Sequence, residues 1–549
     1  MADFTLTALP RLEDFPAEER TCGVRRLLEI CHRQQEQLQL QSEQLAFKAE
    51  LIQSLRDEIS ILKGEKARPK IKSSNLAKDK DDQNGASAGG GGGGGKRGKP
   101  VEKKTKKLEI HDEKIIQPTD IPEGSEFKGY EEYIVQDIEI KPKNTKYKRA
   151  RYKTPDGQYI VGQLPIELQG SHFGPVLRGY ILSQYHQQHV TQNLILRQLL
   201  ELGVRISEGQ LNSILIEGHG EFQAEKDEVL ETALEVSSYV GVDDTGARHK
   251  GKNGFCTRIG NEFFTWFSST ESKSRINFLE LLRATNTDYI IDDVARQYMA
   301  EYKLPKPLAE LMRKDRTDHD AASWEAHLDS LGIVSERHRR IITEAALVAS
   351  LTTHGGFSAL VIMSDDAPQF AICGFLNALC WVHAERNIKK IIPYSDNNRD
   401  AQKLVLDQLW TFYRKLKSYK LSPSEAEKLI LQAEFDQMFT QKTCFHTLNL
   451  ALGALYKNKA QLLLVLDRPE VPLHNNLSEN DIRDYVKRRK ISSTTRSDKG
   501  RESRDCFLSL KKTCQKLGIS FWDYLQDRLT HSGKIPRLSV LIRKFAQAP

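Results

Sequence analysis

Residues 237–270 read SSYVGVDDTGARHKGKNGFCTRIGNEFFTWFSST. SSYVGVDDT, FCTRIG and EFFTWFSS are short runs rich in β-branched and aromatic residues, so each predicts a strand. KGKNG supplies the first turn and Gly260-Asn261 the second, a tight one. ESKSRINFLELLRAT, directly after, has the spacing of a helix. Three consecutive strands and a helix, with Asp243 and Asp244 at the end of the first strand, decide how the rest of the chain is read.

That order matches the start of a ribonuclease H-like fold. Downstream, GFSALVIMSDDAPQF (356–370) predicts a buried strand delivering Asp365 and Asp366 at its C-terminal end. NALCWVHAERNIKKI (377–391) predicts a short strand running into a helix. A helical region spans about Pro307 to Thr352, and a second one residues 396–465, with Leu404, Leu409, Phe412 and Leu416 on spaced turns. In RPEVPLHNNLSENDIRDYVKRRK (468–490), Asn476 suits the cap of a helix whose first turn holds Glu479. The fold class expected is α/β: a mixed-sheet core (234–390 and 466–530) interrupted by a helical insertion (391–465).

Upstream, residues 24–64 read as a Pro-free helical run after a leader, 1–23. Cys31, Leu38, Leu45, Ile52 and Ile59 recur by sevens. A second row with Leu27, Leu55 and Leu62 is broken by Gln34, Gln41 and Lys48. The pattern predicts a coiled coil, stronger in its C-terminal half, and through it a homo-oligomer; a solvated helix packed on its own protein shares the pattern. Residues 65–108, Gly-rich and Lys-rich with almost no apolar side chains, predict a disordered linker. EEYIVQDIEI, KYKRARYK and QYIVGQLP within 109–173 predict a small antiparallel β module. Residues 174–233 read as helical. Inside them, QNLILRQLLELGVRISEGQLNSILIEG has helix-turn-helix spacing, with a stop at Gly203 and a cap at Ser207. An ordinary helical hairpin has that spacing too, and the second helix carries no Arg or Lys. Residues 531–549 complete the chain as a C-terminal tail.

The chain has 549 residues, 39% of them hydrophobic and 28% charged. That length predicts about three to four folded units. Lys+Arg number 81 against 74 Asp+Glu, for a net charge of +7, a mild excess compatible with a nucleic-acid partner. The eight cysteines form no CxxC pair, which argues against a disulfide framework and for a reducing, cytoplasmic setting. No apolar run approaches the ~18 residues of a membrane span, and the first residues lack a signal-peptide pattern.

The acids suggest a chemistry. Phosphodiester transfer needs an activated oxygen nucleophile and a stabilised leaving oxygen, and two metal ions ~3.5–4 Å apart serve both needs. Magnesium or manganese takes hard oxygen ligands, so Asp and Glu must supply them. Asp243, Asp365 and Glu479 are too far apart in sequence for a local motif, so only the fold can bring them together. Each has a plainer use: Asp243 or Asp244 in a strand-end turn, Asp365 as a helix cap, Glu479 in a capping box or paired with Arg483. Asp292 and Asp293, in NTDYIIDD, end a third strand and compete for the middle position.

VGVDDTGAR, VIMSDDAPQF followed by LCWVHAERNIKK, and HNNLSENDIRDYVKRRK with its continuation TRSDKGRESRDCFLSLKKTCQKLGISFWDYLQDRL occur in an order that resembles the transposases of the insertion sequence 66 group. These are a branch of the DDE transposases, and the resemblance spans roughly residues 110–530. It implies a metal-dependent enzyme that cleaves DNA at element ends and transfers the freed strand into target DNA. Asp243, Asp365 and Glu479 would be its catalytic metal ligands, with Asp365 favoured over Asp292 and Asp293. It also implies that the helix pair around GVRISEGQL is a DNA-binding helix-turn-helix. Arg483, Lys487, Arg488, Arg489, Lys490, Arg496, Lys499 and Arg501, close after Glu479, become candidate phosphate contacts; a solvated helix end and loop would carry such charges as well. Cys380 and His383 form the C-x-x-H that many DDE transposases carry between the second and third acids. A lone Cys-His pair is half a zinc site at most, so a structural or substrate-positioning role is expected and zinc is not. The family's Cys-rich segment before the helix pair is missing here, which leaves the β module to stand on its own core. The expected location is the cytoplasm, at the nucleoid. The competing readings are a catalytically inactive, transposase-derived DNA-binding protein and, from another class, a glycosidase-like carboxylate hydrolase.

Overall fold

The computed structural model describes Cys31 and residues 110–117, 125, 130, 133–168, 170–355 and 359–547. The leader, the heptad segment over 24–64 and the linker over 65–108 lie, Cys31 apart, outside the described residues. The chain divides after Ser73 into two units, and every element below belongs to the second.

Arg151–Lys153 (β1) pairs antiparallel with Tyr159–Val161 (β2) across a turn in which Gly157 takes φ +87°. The expected β module goes no further. Residues 133–140 form no strand, and Tyr133, Ile134, Val135 and Ile138 are exposed. A two-stranded ribbon has no apolar face to bury, so alternation alone did not build a core here.

Pro175–Leu182 (α1) runs into a single π-helical turn, followed by Gln192–Glu201 (α2) and Glu208–Ile216 (α3). Gly203, at φ +84°, turns the chain between α2 and α3. Ser207 and Gln210 then cap α3 reciprocally: Ser207 Oγ accepts from Gln210 N at 3.2 Å, and Gln210 Oε1 from Ser207 N at 2.9 Å. Ile195, Leu199, Leu211 and Leu215 close the pair from inside. Gly220–Val236 (α4) leads into the sheet.

The sheet begins with Tyr239–Gly246 (β3), Phe255–Gly260 (β4) and Thr265–Thr270 (β5), followed by Arg275–Leu282 (α5). A side unit comes next: Tyr289–Ile291 (β6), Asp293–Glu301 (α6), Lys306–Leu311 (α7), Arg316–Asp318 (β7) and Ala321–Ser330 (α8). β6 pairs with β7 and stays out of the main sheet. Glu336–Thr353 (α9) returns the chain to Val361–Ser364 (β8) and Leu376–Leu379 (β9). The five-stranded sheet has the order β5-β4-β3-β8-β9, antiparallel over β5, β4 and β3 and parallel over β3, β8 and β9.

Alternation along β3 and β8 sends side chains into two cores. Val240, Val242, Leu360 and Ile362 face one, shared with α4, α5 and α9. Tyr239, Val361 and Met363 face the other, built with Trp381–Lys389 (α10), Asp396–Leu421 (α11), Glu425–Thr440 (α12), His446–Lys457 (α13) and Lys459–Leu462 (α14). Trp381 anchors this helical insertion. It is fully buried against Phe412, Phe435 and Phe439, and its indole N–H donates to Leu462 O at 3.0 Å. Burying one such apolar side chain stabilises the fold by roughly 1.5–3 kcal/mol.

Asn476–Ser492 (α15) then crosses β3, and Asp498–Lys516 (α16) lies along β5. Asp505, Ser509 and Thr513, one face of α16, accept from the outward N–H groups of Ser269, Phe267 and Thr265 at 2.7, 2.8 and 3.2 Å. The helix thereby covers what would be a bare sheet edge. Phe521–Thr530 (α17) packs on α1, and the C-terminal tail carries a docked helix, Leu538–Ala546 (α18), held to α4 by Arg537–Glu228 and Arg543–Glu235 ion pairs of 2.6 Å. Among the described residues no helix is long and apolar enough to cross a membrane, and every cysteine is a free thiol.

Candidate active site

The parallel pairing of β3 with β8 sets the site. Tyr239 lies opposite Val361 and Gly241 opposite Met363. Asp243 lies on the face of the sheet that α15 covers, and Asp365, the residue that follows β8, brings its carboxylate within electrostatic reach of it. Asp244, one residue on, points to the other face. Its carboxylate accepts from Thr257 Oγ1 at 2.5 Å and Gln369 Nε2 at 2.9 Å. The two neighbouring acids therefore face opposite sides of the sheet. Asp366 also turns away: it adopts φ +77° and accepts from Asn458 Nδ2 at 3.0 Å.

Glu479 arrives on the first turn of α15. The close approach of this helix is built into β3, where a Cβ on Gly241 would lie 2.6 Å from Asn475 Oδ1 and 2.8 Å from Ser478 Oγ. Asn475, not Asn476, occupies the cap position, and its side chain is spent on the sheet: Nδ2 donates to Val242 O at 2.8 Å. Cys380 holds the same junction from α10, its Sγ accepting from Asn475 N at 3.2 Å.

Electrostatics record the convergence. Asp243 is pushed up to about 7, first by burial and then by the Asp365 carboxylate, with Asp244 and Glu479 adding to it. Burial holds Asp244 above the ordinary carboxylate range as well. Glu479 is 19% exposed and faces cations: Arg386 Nη1 donates to Oε1 at 2.7 Å and Nη2 to Oε2 at 3.3 Å. Arg483 lies 3.8 Å and His383 3.9 Å from the same carboxylate. His383 Nε2 accepts from Arg386 Nη1 at 3.2 Å, and burial lowers this imidazole below its usual range. Among the described residues no three His, Cys, Asp or Glu side chains stand close enough together to hold an ion as they are.

The rival middle acids belong elsewhere. Asp292 caps α6, accepting from Ala295 N at 2.9 Å, and Asp293 is 99% exposed in an ion pair with Arg296. The basic segment after Glu479 divides. Arg483, Lys487, Lys490, Arg496 and Lys499 are exposed, Lys487 beside Asp484 and Lys499 beside Glu217, and Arg501 is half-buried beside Asp498. Arg489 donates to Gly246 O and so ties α15 to the end of β3. Arg488 does not fit its expected role as a phosphate contact. It is 6% exposed, with its guanidinium 3.6 Å from the centre of the Tyr185 ring, because its helical row (Asp481, Tyr485, Arg488) faces inward.

Sequence reasoning also missed Arg258. Its side chain is wholly buried, and Nη1 donates to Gly241 O and Gly260 O at 2.8 Å and to Ser478 Oγ at 2.7 Å. A charged residue inside an otherwise apolar strand, FCTRIG, was the available signal.

Asp243 on β3, Asp365 after β8 and Glu479 on α15 thus lie within electrostatic reach of one another. Residues 344–503 match the family described as Transposase IS66 family, a span that includes Asp365, Cys380, His383, Arg386 and Glu479. The chain is also 41% identical over 319 residues to the uncharacterized protein y4jO of Sinorhizobium fredii (strain NBRC 101917 / NGR234), covering 57% of this chain and 99% of the relative. The chain belongs to the IS66 family of transposases.

Proposed function

We propose that this chain is a DDE-type DNA transposase that cleaves DNA at element ends and joins the freed 3′-hydroxyl to target DNA, with Asp243, Asp365 and Glu479 as its catalytic acids. One observation carries the reading: Asp243 on β3, Asp365 just after the parallel neighbour β8 and Glu479 on the first turn of α15 come within electrostatic reach of one another at a buried position. A buried carboxylate crowded by other carboxylates is a poor ionised group alone and a good ligand for a divalent cation. The sheet order β5-β4-β3-β8-β9, with its antiparallel and parallel halves, supports a ribonuclease H-like core.

The donor set fits magnesium or manganese, two ions by the needs of the reaction, since the three candidates offer only hard oxygens. Bound by Asp243, Asp365 and Glu479, such ions supply activation of the attacking oxygen and neutralise charge on the leaving one. The chain does the rest with its own groups. Arg483, Lys487, Lys490 and Arg496 line the exposed side of α15 and the turn after it, where they meet phosphates. Cys380 and Asn475 hold α10 and α15 in register, and Asp244 stiffens the end of β3 through Thr257 and Gln369. The α2–α3 pair serves as the helix-turn-helix for element ends, the heptads of 24–64 join two or more copies, and the protein works on the nucleoid in the cytoplasm.

The test is magnesium- or manganese-dependent nicking of DNA bearing candidate element ends. Asp243→Ala, Asp365→Ala and Glu479→Ala should each abolish nicking while DNA binding persists. Retained nicking in any of them removes that acid from the mechanism. Binding without cleavage by the wild type would make the chain a DNA-binding derivative of a transposase.

A further inference from the structure

Among the described residues, Asp243 and Asp365 have no ion-pair partner, whereas Glu479 has Arg386 and Arg483 within 4.0 Å, with the His383 ring beside Arg386. The pairing with Arg386 is forked, one guanidinium nitrogen on each carboxylate oxygen. Such a fork engages both carboxylate oxygens, either of which could otherwise ligate a metal, and arginine cannot escape by losing its proton. His383 Nε2 steadies the same guanidinium nitrogen. The backbone beneath is fixed: Trp381 N donates to Leu473 O at 3.0 Å, and Cys380 Sγ accepts from Asn475 N. The Arg386 side chain itself is 29% exposed. Lys390 lies one turn further along, at the exposed end of α10.

We infer that Arg386 is a positioning residue that withholds Glu479 from the metal site in the free protein and surrenders it when a DNA phosphate replaces the carboxylate in the guanidinium fork. The inference rests on the reading of Glu479 as the third acid. A phosphodiester, though tetrahedral, offers two non-bridging oxygens that can accept the same guanidinium fork, so the exchange conserves the charge-assisted hydrogen bonds of Arg386. It also adds a negative phosphate next to the basic face of α15 and leaves Glu479 to join Asp243 and Asp365. Metal assembly would thus be coupled to DNA occupancy.

The experiment is a Mn2+ titration of the full-length protein by calorimetry, with folding checked by circular dichroism. The proteins are the wild type, Arg386→Gln, Arg386→Lys and Asp243→Asn, each with and without a short duplex oligonucleotide. Without DNA, Arg386→Gln should bind Mn2+ about tenfold more tightly than the wild type, a change equal to ~1.4 kcal/mol and within the range for one charged hydrogen-bonded contact. Arg386→Lys, which keeps the charge but loses the fork, should fall between them. DNA should tighten Mn2+ binding by the wild type and change Arg386→Gln little. A role in stability alone predicts weaker binding in the variants. Unchanged or weaker binding in both Arg386 variants, with Asp243→Asn still defective, overturns the latch and leaves the metal site standing. Binding that ignores Asp243→Asn overturns the metal-site reading and the latch with it.

Discussion

Asp481 Oδ2 accepts from Arg258 Nε at 3.2 Å and Nη2 at 2.7 Å, and the arginine side chain is 0% exposed. The same oxygen accepts from Thr265 Oγ1 at 2.7 Å and Lys516 Nζ at 2.9 Å. Arg258 in turn reaches the carbonyl of Gly241, two residues before Asp243, and the hydroxyl of Ser478, one before Glu479. The pair therefore joins the strand bearing one acid to the helix bearing another. Removing Asp481 leaves Arg258 and Lys516 buried without their counter-charge, which costs about 3–5 kcal/mol, whereas removing Arg258 leaves Asp481 the Lys516 ammonium. Asp481→Leu should lose stability on that scale and Arg258→Met less, and the double variant should lose less than the sum. Urea denaturation in EDTA reads this; strictly additive losses would separate the two residues energetically.

Gly241 is small because α15 leaves no room. A Cβ there meets Asn475 Oδ1 and Ser478 Oγ below 3.0 Å. Gly241→Ala should cost about 1–3 kcal/mol by overpacking and displace Glu479 relative to Asp243. The expected signature is a fall in the rate of DNA nicking much larger than the fall in DNA affinity, with Gly241→Val worse than Gly241→Ala. Equal losses of rate and affinity would mean that the substitution damages the DNA surface instead.

The strands around Asp243 were legible because turn signals separate β-rich runs, and Glu479 was legible because HNNLSENDIR opens a helix. The face of each acid was not legible. It depends on the pairing of β3 with β8, elements far apart in sequence, and a one-residue shift would exchange Asp243 for Asp244. The same gap let Asp292 and Asp293 compete, since NTDYIIDD is a strand end that pairs only with β7. Arg488 misled for another reason. Its charge suggested solvent, but the row Asp481, Tyr485, Arg488 is the buried face of α15, and a ring on a distant helix takes the place of water.

The basic residues after Glu479 should accordingly differ in what they do to DNA binding. Each lost phosphate contact lowers the slope of log affinity against log salt by about 0.9 on duplex DNA. Lys490→Gln and Arg496→Gln, at exposed positions, should each flatten that slope by roughly this amount with little change in stability. Arg488→Gln should leave the slope unchanged and lower the midpoint of unfolding, because it empties a buried cation–π contact with Tyr185. A flattened slope in Arg488→Gln would return that residue to the DNA surface.

Acid should loosen the packing of the π-helical turn and the α3–α4 turn on α16. His186 and His219 both pack on Phe507, at ring distances of 4.4 and 4.8 Å, and the Nε2 of each lacks a hydrogen-bond partner among the described residues. Burial holds His186 well below the usual imidazole range, with Arg488 nearby adding to it, and pushes His219 down to about 4. Both folded values lie below the unfolded one of ~6.5. Between those values the unfolded chain binds protons that the folded chain excludes, so stability falls as pH drops from about 6.5 toward 4 and is insensitive to these groups above that window. The slope is at most about 1.4 kcal/mol per pH unit for each histidine. Urea midpoints at pH 7 and pH 5 should therefore differ more for the wild type than for His186→Gln or His219→Gln. The comparison uses the pH-dependent difference, because losing the ring against Phe507 lowers stability at both pH values. An identical difference in all three proteins would place the acid sensitivity in the carboxylate pairs instead.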